Sequence, residues 1–139
     1  MILKERKFFF EMYLIYFKEI TKSKKSNKKK MLTICSRVIF DLKKNILLIK
    51  FDEEIIGFFI ISHSRNISGN KVCYINDLFL KTNFRKKSFA YKVVKKFILA
   101  GRKKGIKQFR IEILKQNTKI MSFWNNFKPE EKSTNYIIN

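Results

Sequence analysis

The stretch YINDLFLKTNFRKKSFAYKVVKKF, residues 74–97, decides the fold. Its first seven residues, Tyr74 to Leu80, read as a buried strand that begins near Lys71. From Ser88 the period changes to that of a helix running to Lys104. Phe89, Val93, Phe97 and Gly101 fall on one stripe with Val94 and Ile98 beside it, while Lys92, Lys95, Lys96, Arg102 and Lys103 face away. Gly105 is placed to cap that helix. A second strand over residues 106–113 alternates Phe109, Ile111 and Ile113 with Arg110 and Glu112. Strand, helix and strand in this order make an α/β unit. The link Arg85-Lys86-Lys87-Ser88-Phe89-Ala90 sets unpaired amides at a helix N-terminus beside two lysine charges, which suits a phosphate.

Outward from this unit, residues 46–51 and 55–62 are apolar, β-branched runs joined by Asp52-Glu53-Glu54, an expected antiparallel hairpin. Gly57 marks a bulge or a close approach. Residues 63–70 read as a loop turning at Gly69-Asn70. Residues 31–44 read as a helix with Leu32, Cys35, Val38, Ile39 and Leu42 on one face. Before it, TKSKKSNKKK (21–30) can bury nothing and reads as a solvated link. The run Phe8–Phe17 holds Glu11 and is too short to span a bilayer. It reads as a helix packing Phe9, Met12, Tyr13 and Phe17 on a core, with a basic membrane-surface helix as the alternative. Ser133–Ile138 reads as a last short strand.

The 139 residues suffice for one domain, residues 1–139, with a real core. Thirty-two Lys+Arg against eleven Asp+Glu give +21, from codon bias or for a polyanionic partner. Cys35 and Cys73 show no metal or redox spacing, which suits a reducing cytoplasm. His63 is the only histidine, so a histidine triad and a zinc site are excluded, and no metal is expected.

Residues 46–127 resemble the GNAT superfamily of acyl-CoA N-acyltransferases. The signature of that family is an apolar strand end, then Arg/Gln-x-x-Gly-x-Gly/Ala, then a helix. Here it reads Leu78-Phe79-Leu80, a short link, then Arg85-x-x-Ser88-x-Ala90. The later family element, an Asn followed by a short helix ending Phe-Tyr, reads Asn117 through Phe123-Trp124. Three departures stand out: Ser88 for glycine, Trp124 for tyrosine, and a short link from Trp124 to Phe127. The resemblance implies a twisted mixed sheet with helices on both faces and splayed central strands. It implies an N-acetyltransferase that takes acetyl-CoA and an amine acceptor.

In the family the signature strand lends backbone groups to the pantetheine arm and the reacting carbonyl. By position these are Phe79, Leu80 and Lys81, with Leu80 at the chemistry. Arg85, Lys86, Lys87, Ser88, Phe89 and Ala90 would hold the pyrophosphate, Ser88 only if no positive φ is required there. Asn117 is a cofactor contact or a helix N-cap. The site strand is closest to the spermidine/spermine acetyltransferase type, Tyr-x-Glu-Asp, whose glutamate is the base. Tyr74-Ile75-Asn76-Asp77 puts Asn76 in that place, which cannot titrate, and Trp124 has no proton to give. Strand alternation sends Asp77 to the opposite face, as a structural residue. Tyr136, Ser122 or a water chain could do the proton work instead. The alternatives are a catalytically weak CoA-binding protein of this fold, or a basic RNA-associated protein; a homodimer is compatible with each.

Overall fold

The computed structural model describes residues 3–21, 28–41, 44–113, 118–130 and 138. Helix α1 (Leu3–Thr21) and helix α2 (Lys28–Phe40) lead into β1 (Lys44–Phe51), β2 (Glu54–Arg65) and β3 (Lys71–Leu80). Helix α3 (Lys87–Lys103), β4 (Ile106–Ile111) and the short helix α4 (Thr118–Trp124) follow. The sheet order is β1-β2-β3-β4. The first two pairings are antiparallel and the last is parallel, so the sheet is mixed, as expected.

The alternation along β2 builds two cores. Phe58 and Ile60, with Phe79 of β3, pack on Phe9, Met12 and Tyr13 of α1 and Cys35 of α2. Phe59 and Ile61, with Cys73 and Ile75 of β3, pack on Val94 of α3 and Ile106 of β4. Successive side chains of a strand leave on opposite faces, so helices cover both faces of the sheet. The α3 stripe turns to the core as its spacing requires: Val94 and Gly101 are buried, Phe89, Val93 and Phe97 are partly buried, and the five basic residues of the other face are exposed. Gly105, at φ +87°, follows the helix end and its amide donates to the Arg102 carbonyl.

The expected elements are corrected in several places: α2 ends at Phe40, with Lys44 already in β1, and β4 ends at Ile111 rather than 113. Helix α2 starts at Lys28, inside the expected link, since nothing in Lys-Lys-Lys breaks a helix. Leu32 of α2 is half exposed and Ile34 packs instead. Strand β2 continues to Arg65, three residues into the expected loop. The β1–β2 turn is two residues, Asp52 and Glu53, both at positive φ (46° and 66°), and Glu54 already pairs with Phe51. Positive φ at both central positions is the turn form whose twist fits a hairpin. Residues 133–137 of the expected last strand, Tyr136 among them, and Leu42 lie outside the described residues.

Gly57 meets both of its expected roles. The β1 register passes from Ile49↔Gly57 to Lys50↔Ile55, so Ile56 is an extra residue beside it. A Cβ on Gly57 would also run into the Phe79 carbonyl oxygen. Burial pushes the thiols of Cys35 and Cys73 up to about 11, which keeps both protonated and unreactive near neutrality. Among the described residues no helix is long and apolar enough to cross a membrane.

Candidate active site

The site begins as an irregularity in β3. Ile60 pairs with Asp77 but Ile61 pairs with Ile75, which leaves Asn76 unmatched. An extra residue of this kind bends its strand and ends regular pairing. The parallel ladder to β4 accordingly runs from Lys71↔Ile106 to Ile75↔Ile111 and stops there. Strand β3 continues to Leu80 with no partner on that side among the described residues, so the pair that splays is β3 and β4, the latter at the edge of the described sheet rather than at its centre. The opening is a cleft of about 980 Å³. Residues 75–80 form one wall; Ile111, Glu112 and the α4 residues Ser122, Phe123 and Trp124 form the other. Tyr16 and Glu19 of α1, Arg85 just before α3, Lys87 and Ala90 within it, and the first turn of α4 (residues 118–120) complete the lining.

The backbone of β3 presents itself to the cleft at alternate residues. The Lys81 amide donates to the Ile56 carbonyl of β2 at 2.8 Å. Amides along a strand point alternately to its two neighbours, so Phe79 and Lys81 face β2. Leu78 and Leu80 face the cleft. Of the three residues assigned from sequence, Leu80 is the one whose backbone turns to the cleft, and Leu78 is the one that reading missed. Counting amides outward from the 66–70 turn would not have found it, because the extra residue at Asn76 reverses the parity.

Arg85 is committed within the protein. Its Nε donates to the Leu80 carbonyl at 2.6 Å, and its Nη2 donates to both carboxylate oxygens of Glu19 at 3.0 Å. Its guanidinium lies 5.1 Å from the centre of the Phe79 ring. Arg85 therefore braces the end of β3 and the entry to α3 against α1. The first bond of α3 is Ala90 N to Lys86 O, so the amides of Lys87, Ser88 and Phe89 have no acceptor within the helix. Lys86, the N-cap, supplies no side-chain cap. Ser88 sits in ordinary helical backbone and is not among the positive-φ residues, so its Cβ is no obstacle. Lys87 and Ala90 line the cleft; the side chains of Lys81, Lys86, Ser88 and Phe89 do not. Lys81 pairs with Glu54, and Phe89 packs on Phe51 and Phe84. Asn117 lies outside the described residues.

Asn76 is exposed at the cleft and its amide nitrogen donates to the Ser62 hydroxyl at 3.1 Å. Asp77 does not take the face that simple alternation gave it. The bulge at Asn76 resets the alternation, and Asp77 accepts a hydrogen bond from the Tyr16 hydroxyl of α1. It lines the cleft beside Asn76. Burial first, and then the bond to Asp77, hold the Tyr16 phenol far above its usual range. The Tyr13 phenol is raised as well, by burial and by the Asp77 charge. Trp124 is half-buried in an aromatic group, 5.3 Å from Phe123 and 5.7 Å from Phe127 between ring centres. It both packs and lines the cleft.

No curated protein sequence matches the chain. Among solved structures, a probable acetyltransferase superposes with a TM-score of 0.77 at 17% identity, over 100% of this chain and 94% of that one. A ribosomal-protein-alanine N-acetyltransferase from Brucella melitensis superposes with a TM-score of 0.75 at 11% identity, over 100% and 96%. An aminoglycoside acetyltransferase from an uncultured soil metagenomic sample, in complex with sisomicin, gives 0.68 at 15% identity, over 94% and 87%. At such identities the likeness establishes the fold. The sequence model of the acetyltransferase (GNAT) family matches residues 8–127, which take in both cores, the bulged strand and every described wall of the cleft. The chain belongs to the acetyltransferase (GNAT) family.

Proposed function

We propose that this chain transfers the acetyl group of acetyl-CoA to a primary amine. The observation that carries the reading is the splayed cleft with the N-terminus of α3 at its mouth. The free amides of Lys87, Ser88 and Phe89, with the Lys87 ammonium, suit the pyrophosphate. The backbone edge at Leu78 and the Leu80 amide, whose own carbonyl is taken by Arg85, suit the pantetheine arm and the thioester carbonyl. Such an amide, aimed at the carbonyl oxygen, stabilises the charge that develops on it as the amine adds. Trp124 contributes shape to the far wall. Two buried, unlinked thiols fit a reducing cytoplasm.

The acceptors named for two of the superposed structures, an aminoglycoside and a ribosomal-protein alanine, differ greatly on one fold. The fold therefore does not choose the acceptor here. The polyanion reading of the charge rests on Lys22–Lys30; Lys29 and Lys30 are exposed on the first turn of α2.

Lys87→Glu is expected to weaken CoA by about 1–3 kcal/mol, the scale of a lost charge-assisted contact. Lys86→Glu, outside the lining, is expected to weaken it less. Calorimetry with CoA measures both, and an unmutated protein without CoA affinity would overturn the assignment. Thiol release from acetyl-CoA across a panel of amines, polyamines and peptides then tests transfer. CoA binding with no thiol release would instead indicate a catalytically weak CoA-binding protein.

A further inference from the structure

Acetyl transfer moves protons twice. The nitrogen loses one as it becomes an amide, and the departing thiolate gains one. Asn76 cannot titrate, and the Trp124 indole N–H donates a hydrogen bond without giving up its proton. The cleft nevertheless holds a carboxylate next to the chemistry. Asp77 directly precedes Leu78, whose backbone faces the cleft, and the unmatched Asn76 is what turns it to this side. The Tyr16 hydroxyl fixes one carboxylate oxygen, Oδ1. Tyr16 stays protonated through the working range, so it remains a donor and holds the carboxylate in one orientation.

We propose that Asp77, positioned by Tyr16, accepts the proton of the attacking amine and returns it to the departing thiolate. This rests on the acetyl-transfer reading above. The nitrogen lone pair attacks the thioester carbon and a C–N bond forms. The N–H proton of the resulting intermediate passes to Asp77. The C–S bond breaks with its electron pair on sulfur, and Asp77 delivers the same proton there. An N-substituted acetamide and free CoA thiol result, and no other reactant is consumed. One carboxylate does both tasks, so no acid is needed at position 124.

The groups around Asp77 are Tyr16 and Tyr13 of α1, Cys35 of α2 next to Tyr13, Glu19 held by Arg85, Lys87 of α3, and Glu112 and Lys119 across the cleft. The competing account is that the Tyr16–Asp77 bond merely ties α1 to β3. Asp77→Asn separates the two, because the Asn side-chain oxygen still accepts the Tyr16 hydrogen bond. The experiment measures thiol release from acetyl-CoA with hydroxylamine, which needs no acceptor subsite, and with the amine panel. CoA affinity by calorimetry and the thermal midpoint are measured on the same proteins.

In Asp77→Asn, kcat is expected to fall by about 10²-fold or more. Its CoA affinity and thermal midpoint should stay near wild type, and the acid limb of its kcat/KM–pH profile should flatten. Asp77→Glu should restore part of the rate. Tyr16→Phe, which keeps the ring, should lower kcat about tenfold through loss of orientation while CoA still binds. An active wild type with Asp77→Asn within about threefold of its kcat, under 1 kcal/mol of barrier, would overturn the assignment of Asp77 alone. Loss of folding or of CoA binding in both Asp77→Asn and Tyr16→Phe would make the pair structural and overturn it too. A wild type that releases no thiol with any of these amines overturns the transfer reading and this inference together.

Discussion

Replacing Phe58 by alanine is expected to remove about 3–5 kcal/mol of stability, the range for a large ring deleted from a core. The side chain is fully buried. Its ring lies 5.0 Å from Phe9, 5.4 Å from Phe79, 5.6 Å from Tyr16 and 6.2 Å from Tyr13. Those neighbours come from a helix and from the adjoining strand. A hole among them cannot close unless α1 moves relative to the sheet. Against a total of about 5–15 kcal/mol for a folded domain, the loss is a large share. Urea unfolding followed by circular dichroism measures it. A loss under about 1 kcal/mol would mean that α1 does not pack where it is placed. Phe58→Leu, which refills most of the volume, should cost less.

The neighbouring residue fails in the opposite way. Gly57→Val is expected to cost about 3 kcal/mol, near the top of the usual range for overpacking. A Cβ at this site collides with the Phe79 carbonyl oxygen and crowds the Leu80 side chain and Cα. A backbone oxygen in a ladder cannot rotate away, so β3 itself must shift. The segment displaced is the one that carries the Leu80 backbone into the cleft, and CoA affinity should fall together with stability. Gly69→Ala gives the contrast. Nothing lies within 4 Å of an added Cβ at Gly69, but its φ is +79°. Its cost should be about 1–2 kcal/mol, from conformation alone, with CoA binding untouched. Equal CoA affinity in Gly57→Val and wild type would mean that this stretch of β3 takes no part in the site.

The periodic parts of the molecule were legible in the sequence because their period is their cause. The α3 stripe through Val94 and Gly101, the Gly105 cap and the two β runs before residue 62 all behave in that way. The signature segment was legible as a helix start with free amides. The bulge at Asn76 was not, because its extra residue is ordinary in type and shows only against the register of a neighbouring strand. The same omission misplaced Asp77, since alternation counted across an unseen bulge ends on the wrong face. The role of Arg85 was out of reach for another reason. Its partner Glu19 is 66 residues away, and nothing near Arg85 in the chain records that a carboxylate will be waiting there. The spacing of the aromatics likewise could not separate packing from site at Trp124, because the wall of the cleft is made of core.

Strand order across the sheet repeats strand order along the chain. Strands β1, β2 and β3 can therefore assemble by two successive hairpin closures, across the short turns at residues 52–53 and 66–70. Strand β4 must be carried back past the whole of α3 before it finds its parallel partner. Closing a longer loop costs more entropy, and pairings of large sequence separation form late. The part of the sheet gained last is also held by its shortest ladder, Ile106 to Ile111 on one side of β3. Segments with few cross-strand bonds are the ones that open by themselves while the rest stays closed. The free energy of closing the β4–α4 half thus enters directly into the binding constant of any ligand that needs the cleft complete. In kinetic terms the meander is the scaffold and the β4–α4 half is its docking partner, joined to it in the same chain.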